Sequence, residues 1–550
     1  MQALPDWLTP LPDAAQMRAI DRWAIEERGV AGLDLMERAG AGVARALERL
    51  APTGPVAVVC GKGNNGGDGL VVARLLRDAG REVTVVCVAA PEEYAGDARA
   101  NLERLPGAPP VRLSGEPWSE AARAQGEQGP RDVLAEAGVI VDALLGTGFQ
   151  GEPHGGPAEA IEAVNRAARP VVSVDVPSGV DASTGVVSGA AVRAALTVSF
   201  HAGKPGLWIN PGKVHAGEVE TIDIGIPRGA PLQASVGLIE RSVLALLPRR
   251  LATSTKFTSG HVLIVGGSRG LTGAPRMAAL ASMRAGAGYV TACVPASLQD
   301  ILAAGGTPEM MTRGLPDTAG SLTAEATASV LEASARGGAL ALGPGLGRDE
   351  RAVAFARELA VRAGVAMVLD ADGLNAHAGR LESLATRQAP TVLTPHAGEL
   401  GRLLELPSEE IERERLHHVC AAAAQADAVV VLKGDDTLIA DPSGPLAVSR
   451  GASPALATAG TGDVLTGVIA ALLAQGLDAF TAAAAGVWLH AEAGRRAAQR
   501  LGAVEGVIAS DVIAALAGAR EPIAPARTAG EGGATAEGAL AAPGAGGADG

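Results

Sequence analysis

Short, nearly unbroken runs of valine, isoleucine, leucine and alanine recur along the chain, and glycine or proline follows most of them. Runs without polar alternation predict strands buried on both faces, as in a parallel sheet covered by helices. In the first part of the chain these runs are Pro55–Cys60, Glu82–Val88, Val139–Leu144, Pro170–Val176, Ala194–Phe200 and Glu218–Ile224. Two helical stretches, Ala14–Gly29 and Leu33–Leu50, precede them, and a third, Leu70–Asp78, follows the first run. A second series starts after the Pro248–Arg249–Arg250 break: His261–Gly266, Tyr289–Val294, Ala339–Leu342, Ala366–Asp370, Thr391–Thr394, Val429–Leu432 and Thr437–Ala440. Helices near Asp463–Gln475, Thr481–Arg500 and Ser510–Ala517 close it. The two series are not repeats, because their glycine motifs differ in spacing and chemistry. The expected organisation is an α/β domain over 1–245, a second over 246–520, and a disordered Gly/Ala-rich tail over 521–550.

Length supports this division, since 550 residues exceed what one core holds. Hydrophobic residues make up 47% of the chain but aromatics only 2%, so close backbone packing must replace large side chains. The net charge of -14 argues against a nucleic-acid surface, which needs a basic face with stacking aromatics. A phosphorylated small ligand is still allowed, because backbone N–H groups at helix starts hold anions. Neither a signal peptide nor a bilayer-spanning run is expected. Cys60, Cys87, Cys293 and Cys420 are scattered and read as small buried hydrophobes in a reducing compartment, so the cytoplasm is expected.

Candidate chemistry in the first part sits where strands end. The run Cys60-Gly-Lys-Gly-Asn-Asn-Gly-Gly-Asp-Gly69 links a strand to a helix. Its glycines are expected to allow close ligand approach and positive φ, with the helix start holding phosphate. Asp142–Gly148 and Val174–Asp181 repeat the arrangement of a strand end, polar residues and a glycine. Ligands bind at the carboxyl ends of strands in doubly wound sheets, so three such loops converge on one crevice. A plain alternative exists for each: a tight turn, a capping Asp175, a solvated Lys204.

Leu35-Met-Glu-Arg-Ala-Gly40, the double-Asn glycine run, Asp142–Gly148, Asp175–Gly179 and Lys204-Pro-Gly206 resemble the NAD(P)H-hydrate epimerase family, in order and at natural spacing. The resemblance implies a Rossmann-like three-layer domain. It implies that hydrated NAD(P)H contacts Asn64, Asn65, Gly66, Gly67 and Asp68, then Gly146, Thr147, Gly148, Phe149, Gln150, Gly151 and Glu152, and Asp175. It also implies a potassium ion near Asn65, Asp142 and Ser178, an oxygen-rich set suited to a hard cation. Inverting the carbon beside the ring nitrogen needs a proton donor and acceptor. Asp175 is the candidate acid/base and Lys204 the charge that tunes it.

In the second part the strongest motif is Thr458-Ala-Gly-Thr-Gly-Asp-Val-Leu-Thr-Gly467, a glycine turn running into a helix. Its N–H donors can meet charge on a transferring phosphoryl group, and Asp463 is placed to take a proton from an attacking hydroxyl. The plain alternative is a helix cap. Gly266–Ala274, Ala341–Gly347, Thr394–Glu399 and Lys433-Gly-Asp-Asp-Thr437 are further strand-end segments. As a set these resemble the ribokinase-like fold and, within it, the ADP-dependent NAD(P)H-hydrate dehydratases. The resemblance implies ADP contacts from Lys433, Gly434, Asp435, Asp436, Thr437 and Gly462, and hydrate contacts from Ala274, Gly345, His396 and Asp463. It implies magnesium on the phosphates near Glu399 and Asp370. Two acids in the presumed diphosphate loop, Asp435 and Asp436, stand out as a departure.

The expected function is therefore a bifunctional repair enzyme. It epimerises R and S hydrates (NADHX and NADPHX) and dehydrates the S form at the expense of ADP. A homo-oligomer without nucleic-acid or membrane partners is expected. The competing readings are a ribokinase-type small-molecule kinase fused to a sensor domain, and a first domain that binds without catalysing. The second is decided by whether Asp175 and Lys204 share a pocket with Asn64–Asp68.

Overall fold

The computed structural model describes residues 4–113, 130–231, 233–305 and 307–521. The expected tail therefore lies outside the described residues, apart from its first residue.

All six valine-rich runs of the first series form strands, and they build one parallel sheet with a short seventh, Val111–Arg112, at its edge. From that edge the order is Val111–Arg112, Val83–Cys87, Val56–Cys60, Val139–Ala143, Val171–Val174, Leu196–Phe200 and Glu218–Ile222. The chain reverses direction across the sheet between Val56–Cys60 and Val139–Ala143, which pair in parallel. That switch point opens a crevice at the strands' carboxyl ends. Helices Gly32–Leu50 and Asn64–Asp78 cover one face, and Pro130–Glu136 and Gly156–Ala167 the other.

The second sheet has eleven strands. Seven run parallel, from Met311–Leu315 through Tyr289–Pro295, His261–Val265, Ala339–Leu342, Ala366–Leu369 and Thr391–Leu393 to Val429–Leu432. Leu438–Ala440 and Leu446–Val448 then add antiparallel strands. The last two strands come from before the expected boundary, one from the start of the chain and one from its middle. Val236–Ile239 pairs with Leu446–Val448, and Leu8–Pro10 pairs with Val236–Ile239.

The expected boundary at 245/246 therefore does not follow the sheets. Trp7 and Leu8 are buried in the core under the second sheet, and the Trp7 ring packs tilted by 40° against Phe480, with centroids 5.5 Å apart. Leu11 and Ile209 join the core on its other face. Each strand involved is only three or four residues long, too short for an apolar run to show.

The expected helix Ala14–Gly29 is α-helical over Ala14–Arg22 and continues as a π-helical turn, Trp23–Glu27. Cys60, Cys87 and Cys293 are buried as expected, whereas Cys420 is exposed; all four are free. No helix among the described residues is long and apolar enough to cross a membrane.

Candidate functional sites

The double-Asn run is not a loop. It forms the first two turns of the helix Asn64–Asp78, which starts six residues earlier than the periodicity predicts. None of its glycines has positive φ. They are there for contact: a Cβ on Gly66 would lie 1.7 Å from the Gly61 carbonyl oxygen, and one on Gly69 2.5 Å from the Ala143 methyl. The helix is thereby pressed onto the strand ends, and its N-terminus faces the crevice.

A cavity of about 650 Å³ fills that crevice. Its walls include Gly63–Asn65 and Asp68, the loop Gly146–Phe149, Asp175, Phe200 and Lys204. Asp175 and Lys204 thus share one pocket with the Asn64–Asp68 segment. Gly66 and Gly67 pack behind the wall, and Gln150, Gly151 and Glu152 are not among the residues that line it.

Asp175 sits at φ 67°, a conformation that costs a non-glycine residue free energy and recurs at functional sites. Its Oδ1 accepts from the Lys204 ammonium at 2.6 Å, and its Oδ2 accepts from the Thr147 hydroxyl at 2.5 Å and amide at 3.2 Å. Lys204 is 1% exposed and also donates to the Ser199 hydroxyl and the Phe200 carbonyl. Burial alone would push the Asp175 carboxyl up. The Lys204 charge and these hydrogen bonds outweigh it and hold the group below the usual range. Asp68 goes the other way, raised well above it by burial and by Asp175 and Asp21.

Asp21 is a lining residue that the sequence reading missed. It lies at the end of Ala14–Arg22, one turn after Met17, which also faces the cavity. Burial raises its carboxyl, with the Lys204 charge opposing and Asp175 adding. The one signal for it was a lone acid beside the apolar stripe Met17, Ile20 and Ala24.

Asp142 is fully buried at the end of its strand. It accepts from the Ser178 hydroxyl (2.5 Å) and amide (2.9 Å) and the Ser173 hydroxyl (2.9 Å). Burial raises it despite these bonds, and among the described residues no lysine or arginine pairs with it. The Asn65 amide nitrogen nearby is buried with no partner, and Gly146 leaves room only for that side chain. A buried carboxylate without a cation, among serine and amide groups, suits a hard monovalent ion.

In the second domain the helix Thr461–Ala474 begins after Gly460 at φ 90°. Asp463 stands in its first turn and makes no capping bond, so the plain alternative of a helix cap does not hold. Burial and the charges of Asp370, Asp372 and Glu399 raise its carboxyl to about 7, with Lys433 opposing. Lys433 bridges Asp370 (3.0 Å) and Glu399 (3.5 Å). Asp370 is locked by the hydroxyls of Thr394 and Thr466. No cluster of three His, Cys, Asp or Glu side chains forms a metal cage among the described residues. An ion carried in on phosphates and met by one or two carboxylates needs none.

Beside Lys433 is a cavity of about 470 Å³ lined by Gly434, Asp435, Thr437, Leu456, Thr461, Gly462, Leu465 and His490. Its lining combines apolar side chains with the start of the helix Thr461–Ala474, a mixture that suits a nucleoside with a phosphate chain. Asp436 does not line it. Ala274 and Gly345 face each other, since a Cβ on Gly345 would lie 3.1 Å from the Ala274 methyl. His396 caps the helix Ala397–Leu404, accepting from the Gly398 amide at 3.0 Å, while its ring remains exposed.

The comparisons with known proteins match both halves. A family model described as YjeF-related protein N-terminus matches residues 32–206, and one described as NAD(P)H-hydrate dehydratase matches 262–517. The bifunctional NAD(P)H-hydrate repair enzyme of Moorella thermoacetica is 44% identical over 90% of this chain and 93% of its own. The chain belongs to the bifunctional NAD(P)H-hydrate repair enzymes. The repair enzyme of Salinibacter ruber is 40% identical over 92% of this chain and 95% of its own. A solved ADP/ATP-dependent NAD(P)H-hydrate dehydratase from Bacillus subtilis is 30% identical, covering 50% of this chain and 94% of that one, with a TM-score of 0.44.

Proposed function

We infer that this repair enzyme epimerises hydrated NADH and NADPH in the first cavity and dehydrates the S form beside the second. The observation supporting it most strongly is the assortment of carboxylates in each site.

Around Lys204, Asp175 is held ionised while Asp68 and Asp21 are biased to keep a proton. Neighbouring groups pushed in opposite directions make an acid–base pair. One protonates the departing hydroxyl or ring nitrogen of the hydrate, and Asp175 accepts the proton that returning water gives up. A potassium ion near Asn65, Asp142 and Ser178 would neutralise ligand phosphate and fix the three loops.

In the second site Asp463 accepts the proton of the hydrate hydroxyl as it attacks the terminal phosphoryl group of ADP, which leaves as AMP. Phosphate then departs from the ring, and the neighbouring carbon releases a proton as the double bond re-forms. The leaving group is thus phosphate instead of hydroxide. Lys433, Gly434, Asp435, Thr437 and Gly462 hold the nucleotide, and Ala274, Gly345 and His396 border the hydrate. Asp370 and Glu399 are the carboxylates that would meet a magnesium ion brought in with the nucleotide, which would supply further charge neutralisation.

Potassium is tested by epimerisation rate against potassium concentration, with choline holding ionic strength constant. The parent is expected to depend on potassium, and Asp142→Ala to lose that dependence together with most epimerisation while dehydrating S hydrate normally. Indifference of the parent to potassium would remove the ion from the reading.

A further inference from the structure

Asp435 and Asp436 place two negative charges in a loop read as holding a diphosphate. Each is answered by a different cation, and one of these comes from the other domain.

Asp436 turns away from the cavity and is fully buried. Its Oδ2 accepts from Arg415 Nε at 3.0 Å and from the backbone N–H of Asn210, in the first domain, at 2.8 Å. Arg415, itself 2% exposed, also donates to the Lys433 carbonyl at 3.2 Å and to Glu412 at 2.7 Å. Gly434 is trapped in the same knot, because a Cβ there would lie 2.5 Å from Arg415 Nη2.

Asp435 stays at the cavity wall and would by itself repel a polyphosphate. Lys213 of the first domain reaches it, with Nζ 2.5 Å from Oδ2 and 3.3 Å from the Asp435 carbonyl. That carbonyl also accepts from the Ala452 amide at 2.9 Å, and Ala452 and Ser453 form the facing wall. One ammonium therefore cancels the acid's charge and holds both the carboxylate and the carbonyl of Asp435, the carbonyl being the group that also ties the loop to Ala452.

The turn that brings these groups has no slack. Leu207 N donates to the Lys204 carbonyl, Ile209 N to Pro205, Gly212 N to Gly185 and Lys213 N to Ile209, at 2.7–3.1 Å. Ile209 is fully buried in the second domain's core. Only five residues lie between Lys204, in the epimerase cavity, and Asn210, at the nucleotide loop.

We propose that the turn Ile209–Lys213 of the epimerase domain is a working part of the nucleotide site. Lys213 acts as a positioning residue that neutralises Asp435 and fixes the Lys433–Thr437 loop, and so sets nucleotide affinity. The proposal rests on the reading of that loop as the nucleotide loop.

The test uses the purified full-length chain, with ADP and S hydrate. Lys213→Glu puts like charges side by side and is expected to raise KM for ADP about tenfold or more. Its kcat should stay within about twofold of the parent, since chemistry at Asp463 is untouched. Lys213→Arg should restore the parent KM, epimerisation should be unchanged in both, and in an Asp435→Asn background Lys213→Glu should have little effect. A parent-like KM in Lys213→Glu, whatever its melting temperature, overturns the proposal, as does the same KM increase with or without Asp435. Lys433→Ala serves as the control: if it leaves KM for ADP unchanged, the nucleotide-loop reading itself fails.

Discussion

Asp175 directly follows a strand and Asp463 a glycine turn at a helix start, and their surroundings send them in opposite directions. A buried ammonium holds Asp175 ionised, while burial among three other acids leaves Asp463 with a proton up to about pH 7. Because a base must be ionised, kcat/KM for dehydration should rise with pH through about 7 and level off above it. Asp463→Asn should flatten that profile and lower dehydration by about 10²–10⁴-fold, while ADP binding and epimerisation survive. A variant with near-parent turnover would mean that Asp463 is not the base. Asp175, Lys204 and Asp463 were legible in the sequence because each lies in or next to a motif. Asp21 was not, because it reaches the cavity from a helix whose chain neighbours carry no chemistry.

The elements with long apolar runs were legible for a physical reason: a strand covered on both faces must be apolar at every position. Helix starts and edge strands were harder. The helix Asn64–Asp78 begins inside a glycine run because its glycines serve tight packing and not loop conformation. Gly66→Ala should therefore be costly, since its methyl would meet backbone at Gly61, which cannot yield as a side chain can. Overpacking of this kind costs about 1–3 kcal/mol. It is expected to lower the melting temperature and slow epimerisation, while KM for ADP in the second site stays unchanged. Alanine tolerated there without loss of either would show that the helix start is loosely packed. The strands Leu8–Pro10 and Val236–Ile239 were missed because each is short and gains its partner from a segment about 200 residues away, Leu8–Pro10 from Val236–Ile239 and Val236–Ile239 from Leu446–Val448.

At the scale of the whole molecule those strands alter what a cut does. A fragment starting at Leu251 loses both, exposing the edge of Leu446–Val448 and the core around Phe480. Unpaired edges of this kind invite aggregation. That fragment is expected to be less soluble than one starting at Ala234, which keeps Val236–Ile239; equal behaviour in sedimentation would mean that the shared sheet contributes little. The sharing also places Lys204 and the nucleotide loop at the two ends of one short segment. The function inferred for the chain is two successive repairs. Its most direct test is NADH recovered, by absorbance, from mixed R and S hydrates with excess ADP and magnesium, over a time short against spontaneous epimerisation. The parent should restore the whole mixture, and Asp175→Asn should stop once the S fraction is consumed. An Asp175→Asn enzyme that restores all of it at the parent rate would mean that Asp175 does not carry the epimerisation.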